Sequence, residues 1–324
     1  MSIRGKARRR SGRWPFATKQ HRKPKTVAGY RSLLDTVVLP KWESIQMKRL
    51  DYESYSTWLG SLSVDGGQRG AGLSASRITQ VHQLVGAVLK YAQRTGKVAK
   101  NVAFEIKRDE DLPEQAERER RYLSHAELLM LAKAADRFET LTLVLGYCGL
   151  RFGRAVALRR RHVGYRVLTV RSSATAVTGK GIVESTTKTK RDRHVPVPEP
   201  VWKKLKAELP ADPNALVFPS RKGGFLPLGE YRWALDNACE DVGIEGLVPH
   251  GLRHTTASLA ISAGANVKVV QRLLGHATAA MTLDRCGHLL NDDLTGVADA
   301  LGKAIDSTAV SLRYSGRQSG AQTA

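Results

Sequence analysis

The chain has 324 residues, with 52 Lys and Arg against 30 Asp and Glu, a formal net charge of +22 and a pI near 10.2. This length suits two domains, a hydrophobic fraction of 42% supports ordinary packed cores, and the basic excess attracts polyanions, DNA or RNA first. The three scattered cysteines, Cys148, Cys239 and Cys286, form no CxxC or finger spacing, which argues against a disulfide frame or structural zinc and fits a reducing cytoplasm; no long apolar run predicts a membrane span, and no apolar core follows the basic start as a secretory signal requires.

Residues 1–25 hold ten Lys or Arg and no acid, and read as a basic N-terminal arm that tethers nucleic acid or is simply solvated. From Thr26 the pattern is helical: Val27, Tyr30, Leu33 and Leu34 share one face, and Pro40 is expected to stop that segment. A second helix is predicted over Asp51–Leu62, a Gly-rich loop over Ser63–Gly72, and a long helix over Ser74–Arg94 with Ile78, Val81, Leu84, Val85, Val88, Leu89 and Ala92 on its apolar side. Together these make a small helical domain over 26–104. Residues 105–121 hold twelve charged positions of seventeen and are expected to contribute nothing to a core, so 105–122 read as a linker.

A second domain is predicted over 123–306. The run Ser124-His125-Ala126-Glu127 is a capping box, and helices are expected to about Leu158. Periodicity then turns towards two at Val167, Thr169, His194, Val195 and Val197, which predicts a small antiparallel sheet. Helices resume after about Gly229 and persist to about Ile305; the polar tail 307–324 is expected to be disordered. The fold class is therefore mainly α with a small antiparallel β-sheet, α+β.

Four segments of the second domain concentrate cations in unusual settings. In Gly149-Leu150-Arg151-Phe152-Gly153 an arginine follows the apolar run Leu141–Cys148, where a buried charge is costly unless it meets an anion. Lys188 lies in the run Thr186–Arg193 between presumed strands, on a hairpin. In His250-Gly251-Leu252-Arg253-His254, His250 and Arg253 fall three apart in a first helical turn, where anions are favoured. His276 closes Leu273-Leu274-Gly275-His276. Each segment alone is also what a charged turn, cap or helix end looks like; the combination is what informs. His250 and His254 have metal-type spacing, but no Glu sits between them in HExxH order, and no metal is expected. Gly179-Lys180-Gly181 reads as a turn and not a phosphate loop.

The order GLRxG, then KT before VPVP, then HGLRH, LLGH and MTLDRxGHLL resembles the tyrosine recombinase family, phage integrases above all, over about residues 26–305. The resemblance implies a helical core-binding domain and a catalytic domain that clamp DNA. It implies that Arg151 and Arg253 hold the scissile phosphate through paired donors, that Lys188 protonates the departing 5′ oxygen, that His250 acts as general base or acid, and that His276 bonds the phosphate. It implies no cofactor and no metal, since the bond energy is kept in a covalent protein–DNA link. Its partners would be double-stranded DNA carrying attachment-type sites and further copies of the chain, up to a DNA-bound tetramer, in the cytoplasm and without a membrane. The stripe Leu294, Val297, Ala298, Leu301 and Ile305 would pack on a neighbouring copy or on its own domain. Residues 1–25 are too short for the extra arm-binding domain that many phage integrases carry.

Two positions depart from the family. Cys286 stands at the x of DRxGH, where the family has its nucleophilic tyrosine; the nearest tyrosines in sequence are Tyr231 and Tyr314. A thiol is much shorter than a phenol, and attack needs the reacting atoms within about 3–3.5 Å, so thiol attack is not expected. Arg154 stands where GLRxGE has its glutamate; it either disturbs Arg151 or points outward as another DNA contact. The expectation is an integrase-like scaffold that binds DNA with strand cleavage impaired. The alternative is a non-catalytic DNA-binding regulator or competitor of an active recombinase. A general RNA-binding protein would explain the charge but not the ordered motifs.

Overall fold

A computed structural model describes residues 24–67, 70–114, 121–186, 192–276, 278, 280–282, 301–302 and 305–306. Almost all of the basic arm, the tail from 307, most of the last apolar stripe, Lys188, Cys286 and Tyr314 lie outside the described residues. The described chain is mainly helical with two small antiparallel sheets, as the patterning implied. It divides into two compact units.

The first unit takes the N-terminal helices together with residues 171–186 and 218–227. Helices α1 (Pro24–Leu33) and α2 (Leu39–Trp42) are joined by a π-turn, Leu34–Val38. Pro40 therefore does not stop the segment: it sits in the first turn of α2, where its missing N–H is not needed. Helix α3 (Tyr52–Ser61) starts at Asp51, whose carboxylate accepts from the Ser54 N–H at 2.8 Å. Helix α4 (Ala75–Arg94) buries Ile78, Val81, Leu84, Val85, Leu89 and Ala92, the expected face, with Val88 half-buried. Against this face pack Trp42, Tyr55 and Trp58, with the two indoles edge to face at 5.4 Å.

The expectation that 105–121 adds nothing to a core fails for two residues. Ile106 is buried in this core and Leu112 packs on it, because the short helix α5 (Arg108–Asp111) is tied down by Asp111, which accepts from Tyr52 Oη at 2.7 Å. Strands β3 (Ser172–Val177) and β4 (Gly181–Thr186) form a hairpin whose turn holds Gly179 and Gly181, both at positive φ.

The second unit is built on helix α7 (Glu139–Cys148), which is buried almost throughout. Helix α6 (His125–Ala134) packs on it and opens with the full capping box: Ser124 Oγ accepts from the Glu127 N–H, and Glu127 accepts from the Ser124 N–H at 2.8 Å. After the one-turn helix α8 (Phe152–Ala155) come β1 (Val163–Gly164), β2 (Val167–Val170) and β5 (Arg193–Pro196), paired in the order β1-β2-β5. The strands flanking Lys188, β4 and β5, belong to different sheets, and Lys188 itself lies outside the described residues.

Helix α9 (Glu199–Ala207), unforeseen in the sequence, buries Val201, Trp202 and Leu205; Pro200 is tolerated because it lies in the first turn. Helices α10 (Leu228–Asp241), α11 (Gly251–Ser262) and α12 (Val267–Leu274) complete the unit, with α11 against α7. Leu301 and Ile305 are helical and exposed. Among the described residues no helix is long and apolar enough to cross a membrane.

Candidate active site

The buried run of α7 ends at Cys148, and Gly149 turns the chain in the left-handed region at φ +62. Glycine is needed there twice over. A side chain would strain the backbone, and a Cβ would stand 2.8 Å from Leu274 Cδ2. Leu150 returns to the core, and Arg151, half-buried, becomes the N-cap of α8.

Arg253, near the start of α11, is the largest fully buried side chain of the described residues. Its Nη1 donates to the Gly149 carbonyl and its Nη2 donates to the Leu274 carbonyl at 2.6 Å. Those carbonyls lie at the C-terminal ends of α7 and α12, where helices leave acceptors unpaired and the dipole is negative. The guanidinium therefore has a buried setting that suits it. One side chain fastens the residue two before Arg151 to the residue two before His276. Thr256 holds the same helix to α7, its Oγ1 donating to the Gly146 carbonyl at 2.7 Å.

Gly275 ends α12 in the left-handed conformation, and His276 follows at 8% exposure. The His276 N–H donates to the Gln271 carbonyl at 3.1 Å, and Nδ1 lies 3.0 Å from Thr282 Oγ1. His250 is the exposed N-cap of α11, already in helical dihedrals, while Arg253 is buried; the His250 ring meets His254 edge-on, centroids 5.0 Å apart.

Tyr231, one of the two alternative tyrosines, is fully buried, stacked on Phe152 and bonded to Thr142 Oγ1 at 3.1 Å. Burial pushes its phenol well above the usual range. It is a core residue.

Arg154 is half-buried, and its guanidinium is held below the usual range by burial and then by Arg151. Sequence reasoning missed Arg193. This first residue of β5 is held down to about 10 by burial, then by Arg154 and Arg151. The strand period carried the signal: Arg193 and Val195 lie two apart, and Val195 is fully buried. Among the described residues no group of three or more His, Cys, Asp and Glu is placed to hold a metal.

Residues 121–290, just over half of the chain, match the phage integrase family. The chain belongs to that family. Among its curated relatives, the tyrosine recombinase of Thermosipho africanus is 31% identical over 45% of this chain and 48% of its own length. The tyrosine recombinase XerD of Pseudomonas aeruginosa is 28% identical over 60% and 64%, and the integrase of Escherichia phage 186 is 29% identical over 55% and 47%. The match thus spans less than two-thirds of each of these relatives.

Two solved structures share the fold. The Tn1549 transposon integrase, in complex with a circular intermediate DNA, superposes with a TM-score of 0.73 at 18% identity, over 88% of this chain and 95% of that one. A lambda integrase dimer bound to a COC′ core site superposes at 0.62 and 16% identity, over 86% and 93%.

Proposed function

We propose that this integrase-family chain binds duplex DNA at attachment-type sites, as further copies assemble on the same DNA, and holds the scissile phosphate with Arg151, Arg253 and His276. His250 stands at the rim as acid or base, and Lys188 serves the leaving 5′ oxygen. In this reading Arg151, and those N–H groups of Arg253 that are not given to the Gly149 and Leu274 carbonyls, donate to the phosphate oxygens and stabilise the added charge of the pentavalent transition state. Strand cleavage is impaired, because Cys286 occupies the position of the tyrosine nucleophile and its sulfur falls short of phosphorus.

The supporting observation is the pair of hydrogen bonds that Arg253 donates to the Gly149 and Leu274 carbonyls, which ties the segments carrying Arg151 and His276 to the helix carrying Arg253. The basic balance of the chain suits a polyanion.

The test begins with a core sequence selected from a random duplex pool by its retention on the protein. That sequence, as a nicked half-site, is incubated with the protein and run on a denaturing gel. The expected result is retention without a covalent adduct, and a covalent adduct for Cys286→Tyr. An adduct formed by the unaltered chain overturns the impaired reading; failure to retain any duplex overturns the DNA-binding reading.

A further inference from the structure

Arg193 carries a polar group that the site described above does not use. All three of its guanidinium nitrogens are buried and have no hydrogen-bond partner among the described residues. A guanidinium presents five N–H donors, and burying them unbonded is among the costlier arrangements in a protein. The group is pressed against Gly275: a Cβ there would overlap Nη1 and come within 3.2 Å of Cζ. A glycine thus makes the room that the guanidinium fills, directly before His276.

The neighbours are of the wrong sign. Among the described residues, the groups that act electrostatically on Arg193 are Arg154, Arg151 and Cys148. Burial holds the Cys148 thiol up at about 12, so at neutral pH it is no counter-ion. Three guanidiniums from β5 and from the turn of α8 therefore converge, while Arg151 and Arg154 remain half-exposed and leave a way in from solvent.

We propose that Arg154 and Arg193, beside Arg151, form a second oxyanion site next to the one that holds the scissile phosphate. It takes a tetrahedral oxyanion, either a phosphodiester of bound DNA or free inorganic phosphate or sulfate. Planar guanidiniums offer paired donors matched to such oxygens, and a dianion among three cations replaces repulsion with attraction. A ligand that binds only the folded state raises its stability by mass action.

The sulfate arm of the test is thermal unfolding of the full chain in low-millimolar sodium sulfate against sodium chloride of equal ionic strength. The expected result is a saturable rise in Tm of a few degrees with sulfate alone. The rise is lost in Arg154→Glu, whose carboxylate takes the oxyanion's place, and in Arg193→Met. If Arg154→Glu fails to fold, Arg154→Gln serves in its stead, with a reduced rise expected. Equal Tm in the two salts for the unaltered chain, or a sulfate rise that survives in both variants, overturns the proposal.

The duplex arm identifies the source, and it alone rests on the DNA-binding reading. The affinity for a labelled duplex is measured across a salt series for the unaltered chain and for Arg193→Met. If a DNA phosphate fills the site, the slope of log affinity against log salt falls by about 0.9 in the variant, as for one lost phosphate contact. If the slope is unchanged while the sulfate rise is lost, the site serves free oxyanions. A chain that binds no duplex at all overturns the DNA reading and leaves the sulfate arm standing.

Discussion

The second unit buries two arginines within one neighbourhood, and their settings are opposite. Arg253 reaches two carbonyls at the ends of α7 and α12. Arg193 reaches none, and meets Arg154 and Arg151. Arg253 is the more deeply buried residue, but both guanidiniums are taken out of water, so burial alone does not decide whether a cation stabilises a fold. The decisive factor is what stands opposite: helix C-termini offer acceptors already short of donors, whereas strand β5 aims its first side chain at like charge.

The comparison is sharpest for the pair Arg253→Met and Arg193→Met. Removing Arg253 leaves two buried carbonyls without donors and is expected to lower unfolding stability by roughly 3–5 kcal/mol in urea titration. Lysine at 253 should not rescue it, because a point charge cannot span both acceptors as a planar fork does. Arg193→Met carries the opposite sign. The fall of its guanidinium to about 10 corresponds to a gain on the order of 3 kcal/mol when the charge is removed, at about 1.4 kcal/mol per unit. A loss of stability in Arg193→Met would break the contrast.

Gly149→Ala probes the carbonyl side of the Arg253 contact. The positive φ and the encounter with Leu274 are expected to cost about 1–3 kcal/mol, and the displaced carbonyl should loosen Arg253, read as faster hydrogen exchange at the C-terminal end of α12.

The smallest effect is a pH dependence. Burial raises the Cys148 thiol in the folded state to about 12 from an ordinary 9. Its contribution is fully present below pH 9 and is lost as pH climbs from 9 towards 12. At pH 10 the unaltered chain should therefore lose about 1.4 kcal/mol more than Cys148→Ala, relative to pH 8. Equal losses would show that the thiol ionises freely and that the pocket around Arg193 is wetter than its burial implies.

Local signals explain what was legible in the sequence. The α4 face and the Ser124–Glu127 box are set by residues a few positions apart, so spacing reveals them. Pro40 suggested a stop, because a proline in a first turn looks like a breaker until the helix behind it is seen. The motif segments were recognisable by their order along the chain, not one by one. What could not be read was their joining, since the Arg253 bonds cross long stretches of chain, nor the inward aim of Arg193, which hangs on one strand's parity over four residues.

The Arg253 contact also bears on when the site comes into being during synthesis. Its two acceptors lie 104 residues before it and 21 residues after it. A growing chain presents Arg151 long before it has made Arg253, and Arg253 before it has made Leu274. Neither segment acquires its final setting until α12 has been made and has docked. An unfinished polypeptide, however basic, carries these segments unjoined, and the docking of α12 is the step that joins them.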